Sequence, residues 1–214
     1  MRVLVVANGE ITSWERSPIE DVAFNKVIAV DGGYQHCKTL GINVDTVIGD
    51  LDSLHKQDLE KLQHSGAQLL PFPAEKNEID LELALIHATD IGAEEIVVIG
   101  GLGGRFDMSL ANLSLLAHPK LSGVPITFWH NRQKIWLLQP PGAEIKGNVG
   151  DTLSLLPFGI EARGIRTTNL AYPLQGESLP FGPARSVSNV FTADVASISL
   201  ESGMLLAVWT SGRA

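Results

Sequence analysis

The sequence has one cysteine, Cys37, which excludes an intramolecular disulfide framework and a cysteine-rich zinc site. It also lacks long apolar runs: none approaches the roughly 18 residues that a membrane-spanning helix needs. The opening residues, MRVLVVANGE, have too short an apolar core for a secretory signal. We therefore expect a cytoplasmic globular protein without a membrane partner.

Basic charge is scarce as well. The chain has 24 acidic side chains against 16 lysines and arginines, for a net charge of −8. Binding to bulk nucleic acid requires a basic face that displaces counterions, so we do not expect nucleic acid as a partner. Residues 1–118 contain 18 acidic and 8 basic side chains. This asymmetry indicates two regions with different roles, although solvated helix faces are often acidic too.

Short apolar runs alternate with amphipathic stretches up to about residue 130. This alternation predicts βαβ units, and therefore an α/β domain with a mostly parallel, Rossmann-like sheet covered by helices. Several runs are continuously apolar, as expected for buried parallel strands. The predicted strands are 3–7, 27–30, 46–48, 68–70, 95–99 and 125–129, and the predicted helices lie near 18–25, 33–40, 55–65, 79–91 and 107–117.

The helical period disappears after residue 130. Short strand candidates are separated there by turn sequences such as Pro-Pro-Gly and Asn-Val-Gly-Asp. This pattern predicts an all-β sandwich. We accordingly expect an α/β domain at residues 1–130 and a β-sandwich domain at 131–214. The predicted strands of the second domain are 135–138, 144–146, 152–155, 165–168, 195–200 and 205–209.

Acidic residues follow several predicted strands. Asp50 and Asp52 come directly after the strand at 46–48, Asp31 ends VIAVD, and Asp80 lies in the first turn of a helix. Ligands of open α/β sheets bind at the carboxyl ends of strands. A cluster of acids without a cation is repulsive, so the pattern indicates bound Mg²⁺. The alternatives are that the Asp-x-Asp pair caps the next helix and that Asp80 complements a helix dipole.

A glycine-rich segment, IGGLGGRFDMSLAN, occupies residues 99–112. Its exposed backbone N–H groups suit a phosphate, and Arg105 adds a bidentate cationic donor. The segment matches neither the P-loop nor the GxGxxG pattern. The alternative interpretation is a tight glycine turn with a surface pair of Arg105 and Asp107.

The second domain contains a smaller polar group. Ser186, Ser188 and Asn189 would place two hydroxyls and an amide together, and Tyr172 offers a ring face to a flat heterocycle or a cation. The same residues are also ordinary for an edge strand.

Taken in order, VDGG, IGDLDS, an acidic turn ending in Asp80, GGLGGRFD…LAN, YPL and SVSN resemble the thiamine pyrophosphokinase family over about residues 5–208. The resemblance implies an enzyme that transfers a diphosphoryl group from ATP to the hydroxyl of thiamine and releases AMP. It also implies a catalytic α/β domain that binds ATP and Mg²⁺, a thiamine-binding β domain, and a homodimer with active sites between subunits.

The resemblance also implies roles for individual residues. One acid among Asp50, Asp80 and Asp107 would orient or deprotonate the thiamine hydroxyl. The implied catalytic residues are Asp50, Asp52, Asp80, Arg105 and Asp107, the first three also being ligands of Mg²⁺. The implied ATP-binding residues are Asn8, Gly9, Asp31, Gly32, Gly33, Arg105 and Asn112, and the implied thiamine-binding residues are Tyr172, Ser186, Ser188 and Asn189.

Four positions depart from the family pattern. Asn77 and Ile79 stand where the family has an acid and a threonine, and Met108 stands where a histidine is common. Asn169 stands where the family has the glycine of a Gly-Leu pair, although asparagine also tolerates left-handed turns. These departures leave two alternatives open: a pyrophosphokinase for another hydroxyalkyl heterocycle, or a thiamine- and nucleotide-binding protein deficient in turnover.

Overall fold

The chain folds into two units, Met1–Asn131 and Arg132–Ala214. Our computed structural model describes residues 1–13, 15, 19, 21–52, 54–73 and 75–212. Across these ranges, no helix combines the length and the apolar character required to cross a membrane.

The sheet of the first unit is parallel. Its strands lie in the order β6-β5-β1-β2-β3-β4. In the central strand, residues 3–6 are fully buried, because helices cover both faces of such a sheet. The strands are β1 Arg2–Val6, β2 Lys26–Val30, β3 Thr46–Gly49, β4 Gln68–Pro71, β5 Glu95–Ile99 and β6 Ile126–His130.

The helices of this unit whose bounds the structure describes are α1 Gly33–Leu40, α2 Lys56–Ser65, α3 Asp80–Asp90 and α4 Phe106–Ser114. Helices α1 and α2 end at Gly41 and Gly66 in the left-handed conformation, which glycine adopts most easily. Two short 3-10 helices, Leu115–Ala117 and Pro119–Leu121, follow α4.

The helix predicted near residues 18–25 is wrong over residues 21–25, which form turns and bends. Residue 19 is helical as predicted, and residues 18 and 20 lie outside the described residues. The reason is that Asn25 pairs with the start of β1: its N–H donates to the Arg2 carbonyl, and its Oδ1 accepts from the Arg2 N–H at 2.7 Å. These bonds lead the chain into β2 instead of continuing a helix.

The second unit consists of two antiparallel sheets, β12-β9-β14-β7 and β11-β10-β13-β8. Apolar side chains of both sheets form one core, with Leu155 and Leu205 from one sheet and Ile165 and Ile198 from the other. The strands are β7 Gln133–Leu138, β8 Gly142–Lys146, β9 Thr152–Pro157, β10 Ala162–Thr168, β11 Gln175–Leu179, β12 Asn189–Val190, β13 Val195–Ser199 and β14 Leu205–Thr210.

Candidate active site

A cleft of about 720 Å³ opens at the carboxyl ends of β1, β2 and β5. This is the edge of a parallel sheet at which ligands of α/β proteins bind. The chain leading into α3 and the glycine-rich segment before α4 complete its walls. Of the residues predicted from the sequence, it is lined by Asn8, Gly9, Asp31, Asp80, Arg105 and Asn112, and the departures Asn77, Ile79 and Met108 line it too.

Close backbone contacts shape the floor of this cleft. The N–H of Gly9 donates to the carbonyl of Gly100 at 2.7 Å, which joins the segments that follow β1 and β5. A Cβ at Gly9 would clash with that carbonyl oxygen, so a side chain would separate the two segments. Gly32 and Gly33 are buried at the start of α1 and lie outside the lining of the cleft, so their predicted contact with ATP stays a prediction.

Asp31 lies at the centre of an acidic cluster with Asp80 and Asp50. Burial, a hydrogen bond to Asp80 and the charges of both neighbours together raise the pKa of Asp31 to about 7. Its Oδ1 is buried and has no hydrogen-bond partner among the described residues. A Cβ at Gly49 would overlap that oxygen, so the absent side chain of Gly49 makes room for the Asp31 carboxylate.

Asp50 and Asp52 form a tight turn after β3. The N–H of Asp52 donates to Oδ1 of Asp50 at 3.2 Å, and Leu51 between them has a φ of 62°. Helix α2 begins at Lys56 with His55 at its N-cap position, so neither acid caps that helix. Both acids lie outside the lining of the cleft.

The donor set is compatible with Mg²⁺. Within the part of the chain that the structure describes, no group of three or more His, Cys, Asp or Glu side chains is arranged as a metal site. Mg²⁺ does not require one, because it binds through one or two carboxylates together with substrate phosphates and water. The unpartnered Oδ1 of Asp31 and its raised pKa indicate a concentration of negative charge that a divalent cation would stabilise.

Lys76 is a cleft residue that sequence reasoning missed. Its Nζ donates to Oδ1 of Asp80 at 2.5 Å and to the carbonyl of Pro73 at 3.1 Å. The side chain is only 12% exposed and lines the cleft. Lys76 precedes α3, so its spacing from Asp80 is not a helical pattern, and the sequence carried no signal for this contact.

Arg105, the N-cap residue of α4, pairs with Asp107 in the first turn of that helix. Nη2 of Arg105 donates to Oδ2 of Asp107 at 2.6 Å. The pair raises the pKa of Arg105 and lowers that of Asp107. Arg105 lines the cleft, whereas Asp107 does not. Arg105 therefore both forms the surface ion pair with Asp107 and lines the cleft.

Asn112 anchors the glycine-rich segment. Its Nδ2 donates to the carbonyl of Gly101 at 2.6 Å, and its Oδ1 is buried without a hydrogen-bond partner in the described chain. Asn112 lines the cleft and holds the glycine-rich segment in place through its amide group.

In the second unit, Asn189 holds the backbone of Tyr172. Its Nδ2 donates to the Tyr172 carbonyl at 2.7 Å, and its Oδ1 accepts from the Tyr172 N–H at 2.9 Å. The Tyr172 ring is 74% exposed. Ser186 and Ser188 have φ values of 71° and 55°. The Ser186 hydroxyl is buried and lacks a partner among the described residues. The geometry thus favours a positioning role for Asn189, whose amide fixes the backbone of Tyr172.

Comparison with known proteins gives two matches to family models. The model described as thiamin pyrophosphokinase, catalytic domain, matches residues 22–128. The model described as thiamin pyrophosphokinase, vitamin B1 binding domain, matches residues 143–205.

Curated relatives include a thiamine pyrophosphokinase from Bacillus subtilis, 26% identical over 182 residues that cover 85% of each chain. Thiamine pyrophosphokinase 1 from Oryza sativa is 27% identical over 176 residues. That match covers 78% of this chain and 65% of the rice protein, so the chain spans slightly less than two thirds of that relative.

Solved structures share the fold. The thiamine pyrophosphokinase of Bacillus subtilis superposes with a TM-score of 0.86 at 22% identity, covering 99% of both chains. A thiamin pyrophosphokinase family protein from Enterococcus faecalis gives a TM-score of 0.83 at 26% identity, covering 100% of both chains. The predicted fold class, an α/β unit with a parallel sheet followed by an all-β unit, is confirmed.

Proposed function

The chain belongs to the thiamin pyrophosphokinase family, and on that premise we propose that it transfers the diphosphoryl group of ATP to the hydroxyl of thiamine, yielding thiamine diphosphate and AMP. The observation on which this rests is that the catalytic model and the vitamin B1 binding model each match one unit of the chain. The second match disfavours the alternative of another hydroxyalkyl heterocycle as substrate.

In this reaction the protein mainly positions the two substrates and neutralises the charge of the phosphates. The thiamine hydroxyl oxygen forms a bond to the β-phosphorus of ATP. The bond from that phosphorus to the oxygen bridging the α-phosphate breaks, and its electron pair leaves with AMP. The hydroxyl proton passes to a carboxylate. The sequence suggests Asp50, Asp80 and Asp107 for orienting or deprotonating the hydroxyl; Asp80 lines the cleft, whereas the other two lie outside its lining, which supports Asp80 in that role.

We propose Mg²⁺ as the metal, held by Asp80 together with the acids of the turn after β3, Asp50 and Asp52. The interaction of the Asp31 carboxylate with Asp80 and Asp50 supports this proposal, because it gathers negative charge beside the proposed ligands. A bound Mg²⁺ would neutralise phosphate charge. The protein's own part is to hold the acids in place, which it does by ending β2 and β3 side by side.

On the thiamine side, we propose that Tyr172, Ser186 and Ser188 contact the substrate and that Asn189 acts through Tyr172. The unpartnered Ser186 hydroxyl and the exposed ring support this division of roles. The cytoplasmic location stays a prediction.

A homodimer is the proposed assembly. Phe106 and Leu110 lie one turn apart on α4 and are 81% and 54% exposed. A pair of large apolar side chains on one helix face beside the cleft supports contact with a second copy of the chain.

The experiment is an AMP-release assay with ATP, Mg²⁺ and thiamine, compared with EDTA-treated and thiamine-free reactions. A pterin alcohol and a pyrimidine alcohol replace thiamine in parallel reactions. We expect AMP only with thiamine and metal, whereas turnover of another alcohol in place of thiamine would contradict the proposal.

A matched pair of variants tests the site itself. Asp80→Asn is expected to lower turnover at least a hundredfold, the order of loss seen when a group that stabilises transition-state charge is removed. Asp90→Asn, at the opposite end of the same helix, should behave as wild type. Equal activities of the two variants would exclude the cleft as the active site.

A further inference from the structure

The described lining of the cleft has an excess of acids. Glu10, Asp31, Glu78 and Asp80 contribute carboxylates, whereas Lys76 and Arg105 contribute cations. The triphosphate of ATP is strongly anionic, so the placement of the cations decides where its phosphates can be held.

The two cations differ in how firmly they are placed. Arg105 lies on the glycine-rich wall. Its side chain is 75% exposed and forms an ion pair with Asp107. The Lys76 side chain is 12% exposed, on the wall that leads into α3. Two contacts, to Asp80 and to the Pro73 carbonyl, fix the Lys76 ammonium. An ammonium group has three N–H donors, so one donor remains for a ligand in the cleft.

We propose that Lys76 is a phosphate-binding residue that holds the β- or γ-phosphate of ATP from the α3 wall while Arg105 acts from the glycine-rich wall. The inference rests on the proposed function, since it assigns a residue to the nucleotide of that reaction. Lysine suits this role because its ammonium is a compact charge that approaches phosphate oxygens directly. The contact with Asp80 directs the Lys76 ammonium and keeps it beside the acidic cluster.

The test is equilibrium binding of ATP and of AMP, measured by calorimetry with Mg²⁺ and without thiamine, so that no turnover occurs. Lys76→Met should weaken ATP binding about tenfold or more, the loss expected for one charge-assisted hydrogen bond. AMP lacks the β- and γ-phosphates, so its affinity should stay within about twofold of wild type. Lys76→Arg should retain ATP affinity within a few-fold, because the charge remains.

Two further variants serve as controls. Lys26 also forms an ion pair, with Asp45 at 2.7 Å, but at the opposite end of β2, so Lys26→Met should bind ATP as wild type does. Lys76→Met combined with Glu78→Gln restores the net charge of the lining without restoring the lost donor. The double variant should remain as weak as Lys76→Met.

Three results would overturn the inference: unchanged ATP affinity in Lys76→Met, equal losses for ATP and AMP, or recovery in the double variant. Far-UV spectra and melting curves establish that each variant is folded, and the ATP-to-AMP ratio within one variant is independent of the folded fraction. Thiamine-dependent AMP release by the wild type tests the proposed function separately. If the wild type releases AMP but one of these three results is found, only the role of Lys76 is wrong.

Discussion

Replacing Asp31 with asparagine should stabilise the protein at alkaline pH. Asp31 has a pKa of about 7, raised by burial first and then by Asp80 and Asp50. The folded chain therefore keeps this proton up to about pH 7, whereas the unfolded chain loses it near pH 3.8. Between these values the folded state binds more protons, so its stability falls as the pH rises. An asparagine side chain is neutral at every pH, so the substitution removes this loss of stability at high pH.

The size of the effect follows from the pKa. The pKa of Asp31 differs by about three units between the folded and the unfolded chain. At 1.36 kcal/mol per unit, this limits the loss of folding free energy to roughly 4 kcal/mol. Asp31 is partly accessible to solvent, which screens the repulsion, so we expect about half of that, ~2 kcal/mol. For a chain of 214 residues this corresponds to a melting temperature higher by roughly 4–8 °C.

The assay is thermal unfolding from pH 5 to pH 8.5 in EDTA, for wild type, Asp31→Asn and the exposed control Asp90→Asn. Wild type and the control should lose stability up to about pH 7 and then level off, while Asp31→Asn should lack this component. Added Mg²⁺ should restore wild type at pH 8, because an ion that binds only the folded state stabilises it. Parallel pH profiles of wild type and Asp31→Asn would show that the Asp31 carboxyl does not destabilise the folded chain at alkaline pH.

Two further predictions concern stability. Ile79 occupies the N-cap position of α3 and provides no capping hydrogen bond. Ile79→Thr should therefore add about 1 kcal/mol to the free energy of unfolding and raise the melting temperature by roughly 2–4 °C in calorimetry. An unchanged or lower melting temperature would show that the threonine hydroxyl does not cap the helix. Asn189→Ala leaves the backbone N–H and carbonyl of Tyr172 without their partner, so urea unfolding should show a loss of about 2–3 kcal/mol. Tyr172→Ala should cost less than about 1 kcal/mol, because the ring is 74% exposed; equal losses for Asn189→Ala and Tyr172→Ala would contradict the positioning role.

Strands with a continuous apolar run were predictable from the sequence. The segment 95–99 is predicted and observed with the same bounds, because a strand buried on both faces leaves little ambiguity in its pattern. Strands β11 and β12 were missed. In β11 only Leu179 is buried, and β12 has two residues, so neither presents an alternating pattern.

The acidic cluster was predictable in part. Asp31, Asp50 and Asp80 each stand at a strand end or a helix start, and topology brings such positions to one edge of a parallel sheet. The contact of Lys76 with Asp80 and Pro73 was not visible, because a lysine in a connecting segment has no pattern that separates it from a solvated one. The hydrogen bonds between Asn189 and Tyr172 join residues 17 positions apart and involve backbone atoms of Tyr172. Sequence patterns do not predict such contacts.

The central claim is that the chain forms thiamine diphosphate from thiamine and ATP in one diphosphoryl transfer. The most direct measurement is the molar ratio of AMP to thiamine diphosphate in one reaction, with both products identified by mass spectrometry. We expect a ratio of one, with no ADP and no thiamine monophosphate as a precursor. ADP with thiamine monophosphate, or tight thiamine binding without any AMP, would contradict it.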